Sequence, residues 1–343
     1  MFQEIISQIG ILLLIVLVGV LARFWKILTE AVTRDLNKLV IGLTLPILYF
    51  YVLVAQTSRE VLISSWYLPL LAVGIVLTGA ILAYCCSRFI PHLFTPHFPQ
   101  DSMKAESEGT GSVLSRQKGA GFISAPNPQK KTFLYLSSFT NCGFLAIPLA
   151  LFLFGQEGVV RVVIFNLGFS VLIWTLGVSI LRGGSAPFCR GTGGILKRCG
   201  IFNPGTIALA LGFLGVALGV KLPYIIDGAF GLIGGITIPL AMLIIGGILA
   251  GQKFHKRISF KLIVPLVLIR LLIIPALALG IGKLFSFPSP ILGIFVLQAG
   301  MPSASTTPLF VQRYGGDPDL AGSGVFFTHL LSIVTVPFWI SLI

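Results

Sequence analysis

Acidic side chains are scarce in this sequence, and none falls inside a long apolar run. The carboxylates Glu4, Glu30, Asp35, Glu60, Asp101, Glu106, Glu108, Glu157, Asp227, Asp317 and Asp319 all lie at the ends of such runs or between them. No acid is therefore available in mid-membrane to bind a proton or a sodium ion. Charge of either sign is sparse, at 10% of 343 residues against about 25% in soluble domains. A phosphate-binding glycine loop ending in Lys-Ser/Thr, a metal cluster, and a nucleophile with base and acid partners are all missing, which argues against an enzyme, an ATP-driven pump or any cofactor. The cysteines Cys85, Cys86, Cys142, Cys189 and Cys199 lack the paired spacing of a zinc site, so free thiols are expected. No basic segment precedes the first apolar run, which excludes a cleavable signal peptide.

What is abundant is apolar: 55% of the chain is hydrophobic. Such a chain cannot cover its surface in water, so the bilayer is part of its solvent. Ten candidate spans follow, at roughly 5–24, 36–55, 66–88, 132–154, 158–181, 204–221, 226–250, 259–282, 290–312 and 320–342. The formal charge of +13 sits mostly in the short connections, where it reports orientation rather than nucleic-acid binding. Connections after the odd-numbered spans hold nineteen Lys and Arg and those on the opposite side four. The expected protein is thus a multi-pass inner or plasma membrane protein with both termini outside. Residues 90–131 are rich in Pro, Ser, Gly, Lys and Gln and read as a flexible cytoplasmic loop, a spacer or a regulatory segment.

The two halves repeat. Gly42-Leu-Thr-Leu-Pro46 matches Gly235-Ile-Thr-Ile-Pro239 at an offset of 193, and Ile147-Pro148-Leu149 matches Thr307-Pro308-Leu309 at an offset of 160. Five spans per half is an odd number, so the copies are inverted, the sequence mark of a secondary transporter. The expected architecture is all-α: repeats at 1–181 and 204–343, a cytoplasmic connection at 182–203, and broken helices at spans four and nine. Those two spans carry the most polar mid-membrane stretches, Ser137 to Pro148 and Gln298 to Pro308. Proline frees backbone groups, which lipid cannot satisfy, and half-helix N-termini suit an anion. Candidate binding residues are Thr140, Asn141, Pro148, Gln298, Pro302, Ser303, Ser305 and Thr306, with Asn166 lining the pathway or tying helices together. Arg270 is the one deep permanent charge; it would attract an anion, bond carbonyls, or snorkel toward water. His329 reads as a structural histidine, with a proton relay as the alternative. Gly228, Gly231, Gly234 and Gly235 read as close-packing positions.

At Asn141 with Ala146-Ile147-Pro148-Leu149, Asn203-Pro204, Pro239-Leu-Ala-Met-Leu-Ile-Ile-Gly-Gly, Ala299-Gly300-Met301-Pro302-Ser303-Ala304 and Gln312-Arg313-Tyr314-Gly315-Gly316-Asp317, the chain resembles the auxin efflux carrier family. The resemblance covers nearly all ten spans. It implies spans four and nine crossing at Asn141 and Pro302 beside the substrate, with Pro148 and Pro308 just beyond. It also implies a small organic acid as substrate. Plant members carry Pro before the crossover Asn, where this chain has Thr140. The expected partners are that carboxylate, the bilayer and a second copy of the chain. Two other readings stand beside an organic-acid carrier: a sodium-coupled carrier using backbone carbonyls, as in the bile-acid symporter group, and a membrane receptor or sensor domain.

Overall fold

The computed structural model describes residues 2–94, 127–183, 203–251 and 260–343, with side chains from residue 10 onward. Cys189, Cys199 and most of the 90–131 and 182–203 stretches lie outside the described residues. Among the described residues the architecture is all-helical, without a named β-strand. Its helices are α1 Phe2–Phe24, α2 Glu30–Gln56, α3 Leu68–Phe89, α4 Pro128–Ser138, α5 Ala146–Leu181, α6 Pro204–Leu218, α7 Tyr224–Gly251, α8 Phe260–Leu284, α9 Ser289–Gly300, α10 Thr307–Tyr314 and α11 Pro318–Ile340. Among the described residues, six helical runs are long and apolar enough to cross a membrane, namely α2, Arg59–Phe89, α5, α7, α8 and α11. Gly10–Phe24, α6 and α9 are apolar but shorter.

Helix starts follow local chemistry. Thr29 accepts from the Val32 amide at the head of α2, and the Asp317 carboxylate accepts from Leu320 at the head of α11. Such caps satisfy amides that have no partner inside the helix. Pro46 and Pro275 each follow a π-turn, Val40–Thr44 in α2 and Leu268–Ile273 in α8. A proline's missing amide and its clash with the preceding turn favour this widened loop over a regular one. The match between Pro46 and Pro239 is not carried into local structure, since α7 stays α-helical through Pro239.

Small residues set how closely the helices approach. A Cβ on Gly246 would lie 2.1 Å from the Val16 carbonyl oxygen, and one on Gly19 would lie 2.4 Å from that of Leu243. Nothing larger fits where α1 packs along α7. A Cβ on Gly79 of α3 would lie 2.3 Å from the Ser137 oxygen at the end of α4. Gly231 and Gly234 do face side chains of α2, Tyr51 and Leu48, but Gly228 and Gly235 face open space. The packing expectation for those two glycines is thereby corrected: they border a surface rather than a helix contact. Gly155 has φ 64 and ψ −159 and divides α5 into arms 146–154 and 156–181. α1 packs on α7 and α6 on α2; α3 packs on α4 and α8 on α9; α9 packs on α5 and α11 on α4.

Candidate functional site

Two interrupted helices meet in the middle of the bundle. α4 ends at Ser138 and the chain runs through 139–145 before turning into the first arm of α5. α9 ends at Gly300 and the chain runs through 301–306 before α10. Asn141 and Pro302 lie within the two breaks, and the repeated prolines Pro148 and Pro308 lie just beyond them. Pro148 and Pro308 lie in the first turns of the helices that follow, where the absent amide would have had no partner anyway. The extended residues between are instead held to each other. Thr140 and Ser303 form an antiparallel bridge. The Asn141 amide donates to the Pro302 oxygen at 2.8 Å, and the Ala304 amide donates to the Phe139 oxygen at 2.9 Å. Each segment thus supplies the backbone partners that lipid could not.

Side chains complete the seam reciprocally. The Thr140 hydroxyl reaches back to the Gln298 oxygen of α9 at 3.3 Å. The Ser303 hydroxyl reaches back to the Leu136 oxygen of α4 at 2.9 Å. Arg270, fully buried on the π-turn of α8, takes three more carbonyls. Its Nε donates to Met301 at 3.1 Å, Nη2 to Ala299 at 3.3 Å and Nη1 to Ser137 at 3.5 Å. Of the three readings of Arg270, bonding carbonyls is the one seen here and snorkelling is not: the π-turn keeps Ile269, Arg270 and Leu271 all inward, and the carbonyls replace water.

Asn141 joins this seam to α11. Its Oδ1 accepts from the Phe144 amide at 3.2 Å, and its Nδ2 lies 3.0 Å from His329 Nε2. His329 Nδ1 is 2.8 Å from the Val325 oxygen. A carbonyl only accepts, so the proton sits on Nδ1 and Nε2 is left to accept from Asn141. Asn166 ties α5 to α2 and to the broken segment: Nδ2 donates to the Tyr49 hydroxyl at 3.1 Å and to the Cys142 oxygen at 3.2 Å. Tyr49 was not singled out from the sequence, because one tyrosine in an apolar helix looks like core packing. Ser305 is buried close to the seam, and Thr306 precedes α10 without capping it through its side chain. Several buried groups have no hydrogen-bond partner among the described residues: both polar atoms of Gln298, the Ser137 and Tyr135 hydroxyls and Asn166 Oδ1.

Beside the seam lies a partly open, mainly apolar pocket. Leu12, Leu13 and Val16 of α1, Leu145 and Leu149 at the start of α5, and Met242, Ile245 and Leu249 of α7 supply most of its wall. His329 and Ser332 of α11 are its polar members. Of the residues expected to bind substrate or couple transport, His329 alone borders this pocket. Asn141 touches it through His329, and the others do not line it. The polar stretches thus build the joint, and apolar side chains from three other helices build most of the cavity.

The family model described as "Membrane transport protein" matches residues 4–93 and 117–340. The chain is 25% identical over 333 residues to an uncharacterized transporter of Methanocaldococcus jannaschii, covering 96% of each chain. It is 26% identical over 328 residues to an uncharacterized transporter of Methanothermobacter thermautotrophicus, covering 95% of this chain and 94% of the relative. It is also 26% identical over 139 residues to auxin efflux carrier component 8 of Arabidopsis thaliana, covering 39% of this chain and 38% of that one.

Proposed function

The chain belongs to the membrane transport protein family, and from that premise we propose a secondary carrier that moves a small organic acid anion by alternating access. The observation that carries the proposal is the hydrogen-bonded seam of two broken segments beside a pocket. Taking α4 with the first arm of α5, and α9 with α10, gives ten crossings in two groups of five. The paired packing supports an inverted repeat. The contact of α1 with α7 has its mate in that of α6 with α2, and the contact of α3 with α4 has its mate in that of α8 with α9. The reciprocal hydroxyl contacts of Thr140 and Ser303 fit the same two-fold relation.

In this reading the apolar wall takes the body of the acid. The His329–Asn141 pair and the N-terminal end of the 146–154 arm face its carboxylate, because helix N-termini carry positive partial charge. A bound anion would compete for the Asn141 amide and loosen its bond to His329. The seam between α4 and α9 then stays joined while the helices that flank the pocket, α1 and α7, move relative to it. That two-body division is what alternating access about a fixed site requires. A relative bearing the name of an auxin efflux carrier is consistent with an organic acid as cargo.

The test is uptake of a panel of labelled mono- and dicarboxylates into proteoliposomes that contain only this chain. At least one acid is expected to enter at a rate above protein-free vesicles. Leu149→Trp or Met242→Trp, which fills the pocket, is expected to reduce that rate by about tenfold or more. Uptake of that acid untouched by both substitutions, or by Asn141→Ala, would contradict the site.

A further inference from the structure

Arg270 has no acidic partner among the described residues; its guanidinium bonds only the Met301, Ala299 and Ser137 carbonyls there. A fully buried guanidinium with no counter-ion is costly inside a membrane protein, so its surroundings must supply negative potential. They do so from two directions. Ser137 sits in the last turn of α4, and Ala299 and Met301 sit at the end of α9. The final carbonyls of a helix lack partners within it and form the negative end of its dipole. The two breaks bring two such ends together, and Arg270 bonds carbonyls of both. A neutral amide offers two donors and no charge, whereas the guanidinium offers five donors in a planar fork.

We propose that the converging ends of α4 and α9 form a cation seat, and that Arg270 is a tethered cation occupying it. Arg270 is thus a positioning residue: it holds the two broken segments as one body and leaves no vacancy for a free inorganic ion. This rests on the carrier reading only for its consequence in transport; the seat itself needs no substrate. Vacated by Arg270→Gly, the seat accepts a free cation of matching shape, as guanidinium replaces the deleted side chain.

The test is the melting temperature of the full-length chain purified in detergent, with choline chloride as the reference salt. Wild type is expected to be indifferent when millimolar sodium or guanidinium replaces choline. Arg270→Gly is expected to melt lower by about 5 °C or more and to regain at least half of that loss in millimolar guanidinium. Arg270→Lys, which keeps a tethered charge, is expected to melt between the two in choline and to gain less from guanidinium than the glycine variant. The proposal is overturned if Arg270→Gly is as stable as wild type, or if it gains no more from guanidinium than wild type does. Should Arg270→Gly be recoverable only when expressed and purified with guanidinium present, the seat is supported; failure in both salts overturns it. The readout uses no substrate. Rescue in a protein that carries no tested acid would keep the seat and remove the carrier reading, and uptake without rescue would do the reverse.

Discussion

At the scale of single residues, the buried polar side chains of this bundle are joints before they are ligands. Asn166 holds the Tyr49 hydroxyl and the Cys142 oxygen from one amide nitrogen. Asn166→Leu leaves both without that donor in a water-poor interior. The expected cost is about 1–3 kcal/mol, read as a lowered denaturation midpoint, with Tyr49→Phe costing less because it removes one donor-acceptor pair. If Asn166→Leu were neutral, the asparagine would be spare and its role in the joint would be refuted. Asn166 and Arg270 were legible in the sequence because a polar group among apolar neighbours must have a reason to be there. Their partners were not. The carbonyls of Cys142, Ala299 and Met301 belong to no residue type, and only the breaks in the helices make them available.

At the scale of elements, the family resemblance placed the crossing at Asn141 and Pro302, where the backbones do meet, but the repeated prolines alone did not give the register. The repeated Pro148 and Pro308 mark where the following helices begin, so aligning them pairs Thr140 with Gly300. The backbone pairs Thr140 with Ser303 instead, because the bridge lies six residues before the helix start in the first half and four in the second, and the proline is third in one helix and second in the other. A match of half-helix starts cannot report a bridge that forms upstream of them. The span bounds placed a connection at 155–157, but not the fact that Gly155 alone makes the turn at positive φ. Its φ of 64 and ψ of −159 lie in a region open in effect to glycine alone. Gly155→Ala is expected to cost about 1–3 kcal/mol, measured by denaturant titration in detergent, even though a Cβ there meets no neighbour. A neutral Gly155→Ala would mean that the turn relaxes freely. Gly246→Leu belongs to the same scale. Its side chain would enter the Val16 carbonyl and push α1 from α7, and little monodisperse protein is expected by size-exclusion chromatography. A well-behaved Gly246→Leu variant would contradict that close packing.

At the scale of the whole molecule, composition and charge made the membrane setting legible, and the repeated motifs pointed to a transporter. The pocket was not legible. Leu12, Leu149, Met242 and Leu249 have the same apolar character as residues that face lipid or core, and nothing in a linear sequence separates a wall from a surface. Only the packing of α1, α7 and α11 around the start of α5 distinguishes them. The polar residues that drew attention form the hydrogen-bonded joint behind that wall, which in the proposed carrier is the part against which the wall moves. A carrier built on that division exposes one site to one side at a time, and its substrate must exchange across the membrane. The most direct measurement is counterflow in proteoliposomes that contain only this chain. Vesicles preloaded with an unlabelled acid from the panel are expected to take up the same labelled acid several-fold faster than empty vesicles, and Leu149→Trp is expected to abolish the difference. Equal uptake by loaded and empty vesicles for every acid, with no effect of the pocket substitution, would contradict alternating access at this site.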